Sequence, residues 1–411
     1  MSPAKQIVVY FDPVGEGHHA EYLAFFLSVC DSLGLTLAAW VPQEVWDIAK
    51  GITRAGPSAG FLAKPVDFTV GTLGQRQRAL ADMFAYAQAE RVELIFFGML
   101  DGLVKPLALR RLAGHKSTVP WTGIFMIDDF NFPNVTRGLL ASLRLPFKLM
   151  GLRLALRGGA VSLLASNPAW PARMPVPIIW LPDNLSSLDF AAQQSVEESG
   201  IWPVRQEPNK TGPCLRLASF GVITPRKGLV EFCNGLSLLS DADLARVEFR
   251  IMGEMPRVGS PDYVARLHQA VAKLKLRGMA VEFQQAYVSE RLIDQSLRWC
   301  DVVVAPYINH IGSSSLINIA AQYGRPVITQ ATSQIGYEAR NFQLGICLDS
   351  RDAVATAAAV RGLLEKPFEP TEGMKHFSQT HSYRQAFAVS ANAIAQAAGL
   401  GGHSTAWAGG L

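Results

Sequence analysis

The sequence predicts an α/β fold of two tandem domains, each built on a doubly wound parallel sheet. Short runs of β-branched and aromatic residues alternate with longer segments of helical period, which is the pattern of strand–helix units around parallel sheets. The chain has 411 residues, 49% of them hydrophobic, and this exceeds what one core usually organises. A polar, proline-containing segment between Leu181 and Pro213 separates two such series. We therefore expect two Rossmann-like domains that face each other across a cleft.

The first series contains six predicted strands, each bounded by turn residues. They are Gln6–Phe11, Leu35–Trp40, Val92–Phe97, Trp121–Met126, Val161–Ala165 and Pro177–Trp180. Residues 1–185 form the predicted N-terminal domain. Residues 186–212 form the predicted linker, because the run QEPNKTG and the prolines around it offer too few large apolar side chains to join a core.

The second series begins at Cys214 and forms the predicted C-terminal domain, residues 213–382. Its predicted strands are the runs CLRLASF, VEFRIM, AVEF, VVVA and PVIT. Among the helices between them, Val264 to Leu276 has apolar residues at spacings of three and four, which predicts an amphipathic helix. An alanine-rich helix is predicted over 383–399, from where it could cross back to the first domain, and residues 400–411 form a glycine-rich tail.

Charge and composition exclude several classes of protein. The net charge of +4 is small and evenly spread, whereas nucleic-acid binding normally needs a concentrated basic face, so no nucleic acid is expected as a partner. The five cysteines lie far apart and include no C-x-x-C, which indicates neither a disulfide framework nor a zinc site. The first residues lack the apolar core of a signal peptide, and charges interrupt every long apolar run. A cytoplasmic protein, soluble or peripheral to a membrane, is the expectation.

The first strand leads into a glycine-containing loop with two adjacent histidines. Gly15 and Gly17 fit G-x-G-x-x-G/A, whose glycines let a ligand approach the backbone at a helix N-terminus. Three interpretations stay open: a dinucleotide site, a turn without a ligand, and a loop that contacts substrate, with His18 or His19 as a donor or proton carrier. The dinucleotide interpretation lacks the acidic residue expected at the end of the second strand, where only Glu44 is near.

Two loops of the second series carry groups that suit a diphosphate. The first runs from Gly221 to Leu229 and places Arg226 and Lys227, both expected to be exposed, before a helix. The second follows the strand VVVA and contains His310, Gly312, Ser313, Ser314 and Ser315. Glycine and serines at a helix start supply N–H groups and hydroxyls to an anion. The alternatives are a solvated basic turn and simple N-capping, but we expect both loops to converge on one pyrophosphate.

Over about 130 residues of the second series, in order, the sequence resembles the retaining "group 1" (family 4-like) glycosyltransferases of GT-B fold, which include sucrose-phosphate and mannosyl transferases. The matching runs are SFGVITPRKGLVEF, FRIMGEM, VEFQQAYVSERLIDQSLRWCDVVVAPY and SSSLINIAAQYGRPVI. The resemblance implies that the C-terminal domain binds a nucleotide-diphosphate sugar and that the N-terminal domain is the acceptor side.

Several residues match the family's donor site one by one. Lys227 matches its phosphate-binding lysine, Gly221 the glycine that opens that loop, and Gly253 the glycine turn after the next strand. Tyr287 and Val288 lie where the family contacts the nucleotide base, mostly through backbone groups. The sequence also departs from the family, because the arginine expected after Gly221 is Val222, and Arg226 is our candidate substitute.

The family's paired glutamates, which contact the sugar and the ribose, fall on Ile311 and Ile319, so this chain represents a divergent branch. The serine turn and His310 would occupy that corner of the site. No metal and no cofactor are expected, because cations and N–H groups can stabilise a departing nucleotide diphosphate. Asp128 and Asp129, just after a strand, are candidate bases or acceptor contacts, with a turn or helix-capping pair as the alternative.

Residues 136–159 contain five basic residues among leucines and no acidic residue. Such a helix could lie on anionic lipid, and the alternative is a core helix pair with solvated arginines.

The predicted function is transfer of a sugar from a nucleotide-diphosphate donor, with UDP or GDP as the nucleotide, to a glycan or lipid-linked acceptor. Two alternatives remain: a catalytically silent relative that binds a nucleotide sugar, and a Rossmann-type NAD(P) or FAD oxidoreductase.

Overall fold

The computed structural model describes residues 6–15, 19–53, 55–67, 71–126, 139–167, 174–182, 214–254 and 261–400. It divides into two compact units. The described residues up to 182 and from 383 onwards form the first unit, and residues from 214 to 382 form the second. The predicted linker, residues 186–212, lies outside the described residues, as do residues 401–411 of the predicted tail.

The first unit is built on a seven-stranded sheet in the order β3-β2-β1-β4-β5-β6-β7, and every strand pair in its described part is parallel. The strands are β1 (Ile7–Phe11), β2 (Thr36–Val41), β3 (Gly60–Pro65), β4 (Leu94–Phe97), β5 (Trp121–Phe125), β6 (Leu163–Ala165) and β7 (Ile178–Trp180). The described helices that follow them are α1 (His19–Ser32), α2 (Gln43–Ile52), α3 (Leu73–Ala89), α4 (Val104–Leu112) and α5 (Leu139–Leu156).

Helices cover both faces of this sheet, and strands buried on both faces read as continuous apolar runs. On one face, α1 and α2 pack on alternate residues of β1 and β2, such as Val8 and Tyr10. On the other face, α3, α4 and α5 pack on the intervening residues, such as Val9 and Phe11. The sheet therefore has two separate cores.

The second unit is built on a six-stranded sheet in the order β10-β9-β8-β11-β12-β13, again with parallel pairs. Its strands are β8 (Leu215–Phe220), β9 (Val247–Met252), β10 (Ala280–Gln284), β11 (Val302–Ala305), β12 (Val327–Gln330) and β13 (Gly345–Leu348). The described helices are α6 (Leu229–Leu236), α7 (Asp241–Leu244), α8 (Pro261–Leu276), α9 (Glu290–Trp299), α10 (Ser315–Gln322), α11 (Ser333–Asn341), α12 (Ala353–Glu365) and α13 (Glu372–Thr380).

A last helix, α14 (Tyr383–Ala397), returns to the first unit and packs on α1. The ring of Phe25 on α1 makes edge contacts with Tyr383 and Phe387, with centroids 5.2 and 5.9 Å apart. Ile394 is fully buried in the same core. The C-terminal helix is therefore part of the first hydrophobic core.

The structure confirms the predicted fold class of two doubly wound parallel sheets. All eleven predicted strands are present, with ends that differ by at most two residues. Two further strands were not predicted. β3 is an edge strand with a half-exposed, proline-ending sequence, GFLAKP. β13 is also an edge strand, and its run GICL begins with glycine, a residue that is depleted in strands.

In the first sheet, strands are added to one side of β1 up to β3 and to the other side from β4 onwards, so the topological switch point lies between β1 and β4. In the second sheet it lies between β8 and β11. Ligands of open α/β sheets bind beyond the carboxyl ends of the strands at such positions. The loops after β1, β8 and β11 are therefore the places where the fold presents functional residues.

Candidate functional site

The loops after β8 and β11 are packed against each other. Gly228, with φ of +67°, ends the short 3-10 turn Pro225–Lys227, and a Cβ at this position would clash with the carbonyl oxygen of Pro306. The backbone N–H of Ile308 donates to the carbonyl oxygen of Arg226 at 2.8 Å. Glycine is thus required here for conformation and for close approach.

Lys227 lies inside this loop pair and has only 8% of its surface exposed. Its ammonium donates to the carbonyl oxygen of Phe220 at 3.2 Å and to the phenol oxygen of Tyr307 at 3.1 Å. The prediction that Lys227 is exposed is therefore wrong. A buried ammonium needs acceptors, and the end of β8 and the first turn after β11 supply them.

Tyr307 joins the lysine loop to the serine turn. Its buried phenol oxygen lies 2.8 Å from Ser314 Oγ as well as within reach of Lys227. Burial alone would raise the pKa of this phenol, but the charge of Lys227 and the hydrogen bonds with Ser314 and Lys227 outweigh burial and lower the pKa. Sequence reasoning missed Tyr307, although its place directly after a strand and Pro306 was a usable signal.

The serine turn begins helix α10. Ser314 is the N-cap residue, but its hydroxyl makes no capping bond and contacts Tyr307 instead, so simple N-capping does not describe it. Ser313 Oγ is buried and has no partner among the described residues. The first N–H groups of a helix have no intrahelical acceptor, so Ser315 and its neighbours, with Gly312 before them, face a region that favours an anion.

His310 connects Arg226 to the serine turn. Arg226 Nη1 and His310 Nδ1 are 2.9 Å apart, and His310 Nε2 lies 2.9 Å from the carbonyl oxygen of Ser313. The imidazole stacks on the ring of Tyr307, with centroids 4.7 Å apart. Burial, opposed by the Ser313 hydrogen bond and helped by the charges of Arg226 and Lys227, lowers the pKa of His310 to about 4. The imidazole is therefore neutral near pH 7.

The other predicted donor-site residues lie along the same edge of the sheet. A Cβ on Gly253, at the end of β9, would clash with the carbonyl oxygen of Gly221, so the two turns need glycine to lie side by side. Gly253 N in turn donates to the carbonyl oxygen of Gln284, just before the turn after β10. In that turn Tyr287 is 76% exposed, whereas Val288 packs against the core.

The two isoleucines at the family's glutamate positions differ in burial. Ile319 lies on α10 and is buried among apolar neighbours of the second unit's core. Ile311 is half-buried, and its carbonyl oxygen accepts a hydrogen bond from Gln334 N at 3.4 Å. No carboxylate replaces the glutamates at these two positions.

In the first unit, Asp12 of the loop after β1 and His19, the first residue of α1, form a buried pair. His19 Nδ1 lies 2.7 Å from Asp12 Oδ2, and the other carboxylate oxygen accepts a hydrogen bond from Val14 N at 3.3 Å. Burial raises the pKa of Asp12, and the hydrogen bond and charge of His19 oppose that shift. Sequence reasoning missed Asp12 as the partner of His19. Gly15 is half-buried in the same loop.

Four predicted site residues lie outside the described residues, namely Gly17, His18, Asp128 and Asp129. The described residues of the predicted donor site belong to the second unit, and His19 belongs to the first unit. Within the part of the chain that is described, no group of three or more His, Cys, Asp or Glu side chains could hold a metal ion.

Comparison with known proteins identifies the domain formed by the second unit. Residues 215–366 match the family model described as Glycosyl transferases group 1. The second unit is therefore a group 1 glycosyltransferase domain, and the resemblance predicted from the sequence is confirmed. The two parallel sheets have the GT-B fold of the solved glycosyltransferases below, and residues 215–366 form the group 1 glycosyltransferase domain. None of the curated proteins matches the sequence.

Solved structures of several glycosyltransferases share the fold. Sucrose-phosphate synthase from Thermosynechococcus elongatus aligns with a TM-score of 0.65 at 13% identity, covering 95% of this chain and 98% of that chain. Anabaena HepE in complex with UDP aligns with a TM-score of 0.63 at 15% identity, covering 95% and 98%. A glycosyltransferase from Rickettsia africae aligns with a TM-score of 0.58 at 12% identity, covering 96% and 98%.

The contact between Lys227 and Tyr307 leads to a stability prediction. Tyr307→Phe removes one of the two acceptors of a buried ammonium, so we expect the free energy of unfolding to fall by about 1–3 kcal/mol. Tyr287→Phe is the matched control, because Tyr287 is largely exposed. This substitution should change the free energy of unfolding by less than about 0.5 kcal/mol. Urea unfolding of both variants measures this, and equal stability of the two would contradict the contact.

Proposed function

We propose that this glycosyltransferase binds the diphosphate of a nucleotide sugar between the loops after β8 and β11 of its second unit. We call this set of groups the diphosphate clamp, formed by the Arg226 and Lys227 loop, Tyr307 and the Gly312–Ser315 turn. The observation that carries the proposal is the hydrogen-bonded chain from Lys227 through Tyr307 to Ser314.

The clamp has the chemistry that a diphosphate needs. Arg226 is exposed and carries fixed positive charge, and its guanidinium geometry suits phosphate oxygens. When the Tyr307 phenol donates to Ser314 Oγ, the Ser314 hydroxyl proton is left for a ligand. The N-terminus of α10 adds unpaired N–H groups and a favourable dipole.

In the reaction, the acceptor hydroxyl oxygen forms the new bond to the anomeric carbon, and the bond from that carbon to the diphosphate oxygen breaks. The clamp stabilises the charge that develops on the leaving nucleotide diphosphate. Neither a metal nor a cofactor is needed for this role. UDP is the first nucleotide to test, since HepE was solved with UDP and with UDP and glucose, and GDP is the second.

A silent relative that binds nucleotide sugar without turnover is the second candidate, and the isoleucines at positions 311 and 319 favour it. Isothermal titration with UDP and GDP, followed by a donor-hydrolysis assay, separates the two, because binding without turnover supports the silent relative. A thermal shift with NAD(P) or FAD would instead support an oxidoreductase that uses Gly15 and Gly17.

The clamp is tested by removing its charges. We expect Arg226→Ala combined with Lys227→Met to weaken binding of UDP or GDP at least on the order of tenfold, because charge-assisted bonds to phosphate are lost. Methionine keeps the volume of the buried lysine stem, and circular dichroism checks folding. Arg361→Ala, on α12, is the control and should bind as the wild type does. Undiminished affinity in the double variant would refute the clamp.

For the acceptor side, we propose that His19 takes the proton of the acceptor hydroxyl. The carboxylate of Asp12 accepts a hydrogen bond, so the single proton of a neutral His19 ring must lie on Nδ1. The lone pair on Nε2 can then act as a base. Asp12 thereby selects one tautomer and holds the ring in one orientation. The interpretation of the loop after β1 as a substrate-contacting loop is the one that this pair supports.

His19→Gln should lower the rate of donor hydrolysis on the order of a hundredfold while leaving nucleotide affinity unchanged, since a general base contributes to the chemical step. Asp12→Asn should also lower the rate, because an amide N–H facing Nδ1 favours the wrong tautomer. His115→Gln, an exposed histidine of the same unit, is the control. A rate unchanged in His19→Gln, or lost equally in His115→Gln, would remove His19 from the mechanism.

We also propose that the outer face of α5 binds a surface of anionic lipid, which suits a lipid-linked acceptor. Phe147 and Met150, three residues apart, are 70% and 60% exposed, whereas Leu152 and Leu156 are buried on the opposite face. Arg144 and Arg157 are exposed nearby, and neither α4 nor α5 contains an acidic residue. Among the described residues no helix is long and apolar enough to cross a membrane.

Vesicle sedimentation tests this surface. We expect binding to phosphatidylglycerol vesicles and much weaker binding to phosphatidylcholine vesicles, since each basic residue near the surface contributes about 1 kcal/mol. Phe147→Ser with Met150→Ser should reduce that binding at least about tenfold, because two inserted apolar side chains are lost. Leu276→Ser is the matched control, as this residue is 89% exposed in the second unit. Equal binding to both lipids would contradict the proposal.

A further inference from the structure

His310 has two polar partners that fix its chemical state. The guanidinium of Arg226 can only donate, so Nδ1 of His310 must be the unprotonated acceptor. The carbonyl oxygen of Ser313 can only accept, so Nε2 must carry the proton. The two contacts are satisfied together by one neutral tautomer, and both ring nitrogens are then in use.

Arg226, unlike His310, keeps hydrogen-bonding groups for a ligand. It stands on an exposed 3-10 turn, and the imidazole of His310 is the side-chain acceptor that its guanidinium contacts among the described residues. A guanidinium has five N–H groups, so most remain for a ligand after one is given to His310. Holding a long, flexible side chain before the ligand arrives lowers the entropy that binding would cost.

We propose that His310 is a positioning residue, which holds the Arg226 guanidinium at the serine turn so that Arg226, and not the imidazole, contacts the diphosphate. This inference rests on the proposed function of the clamp. The resembled family has an arginine directly after the glycine of this loop, where this chain has Val222. A guanidinium held by His310 would let Arg226, at the other end of the loop, take the place of that arginine.

The surroundings keep the imidazole in its role. The titratable groups that face it are Arg226 and Lys227 from the loop after β8 and Tyr307 from its own loop. Both cations disfavour a second proton on the ring, and burial does the same. A protonated ring would lose the lone pair that accepts from Arg226, so the neutral state and the contact support each other.

A double-variant cycle on UDP affinity tests the proposal, with GDP and inorganic pyrophosphate as further probes. His310→Ala and Arg226→Ala should each weaken binding on the order of tenfold, and the double variant should be no weaker than either single one. His310→Gln should restore binding to within about threefold, because an amide can accept from Arg226 and donate to Ser313. His310→Phe keeps the ring on Tyr307 without nitrogens and should behave like His310→Ala. His376→Ala, an exposed histidine on α13, is the control.

Two results would overturn the proposal: wild-type affinity in His310→Ala, or losses that multiply in the double variant. If the wild type binds none of the three probes, the proposed function fails. The contact between Arg226 and His310 is then tested in the free protein by nitrogen NMR of the imidazole. The Nδ1 resonance of His310 in the free protein should then shift in Arg226→Ala and stay in place in Arg361→Ala. An unmoved resonance in Arg226→Ala would refute the positioning role.

Discussion

The arrangement of the loops after β8 and β11 depends on one buried ammonium group. Lys227 donates to the carbonyl oxygen at the end of β8 and to the phenol oxygen after β11. Because a buried cation without acceptors is costly, these partners must stay in place, and the two loops must stay together. The serine turn is attached through the same phenol, so two loops that are linked across 80 positions of sequence share one polar chain.

Two adjacent cations therefore have different roles. Lys227 mainly organises the loops, whereas Arg226 remains exposed and is reached by the imidazole of His310. The resemblance places isoleucines at its paired-glutamate positions, so the proposed clamp must hold a donor with other fixed groups. The proposed clamp offers serine hydroxyls, backbone N–H groups and one oriented guanidinium. These groups are hydrogen-bond donors with one localised positive charge, so they complement a diphosphate better than a sugar hydroxyl.

The fold was largely predictable because parallel strands buried on both faces produce continuous apolar runs, as in VVVA and LIFF. The two strands that were not predicted, β3 and β13, lie at the edges of their sheets. β3 contains a lysine and ends in proline, and β13 begins with glycine. The site was predictable only in outline. Glycines, cations and serines after strands indicated the right loops, but the burial of Lys227 depends on Tyr307, 80 positions away, and the pairing of His19 depends on a carboxylate that no motif distinguishes.

The return of α14 to the first unit has a consequence for synthesis. Ala386, Ala393 and Ile394 belong to the same apolar cluster as Val8 and Leu23, so the first core contains residues from both ends of the chain. Domains usually fold in order as they leave the ribosome. In this protein the core of the unit made first stays incomplete until α14 has been translated, so the core of the unit made second is completed earlier.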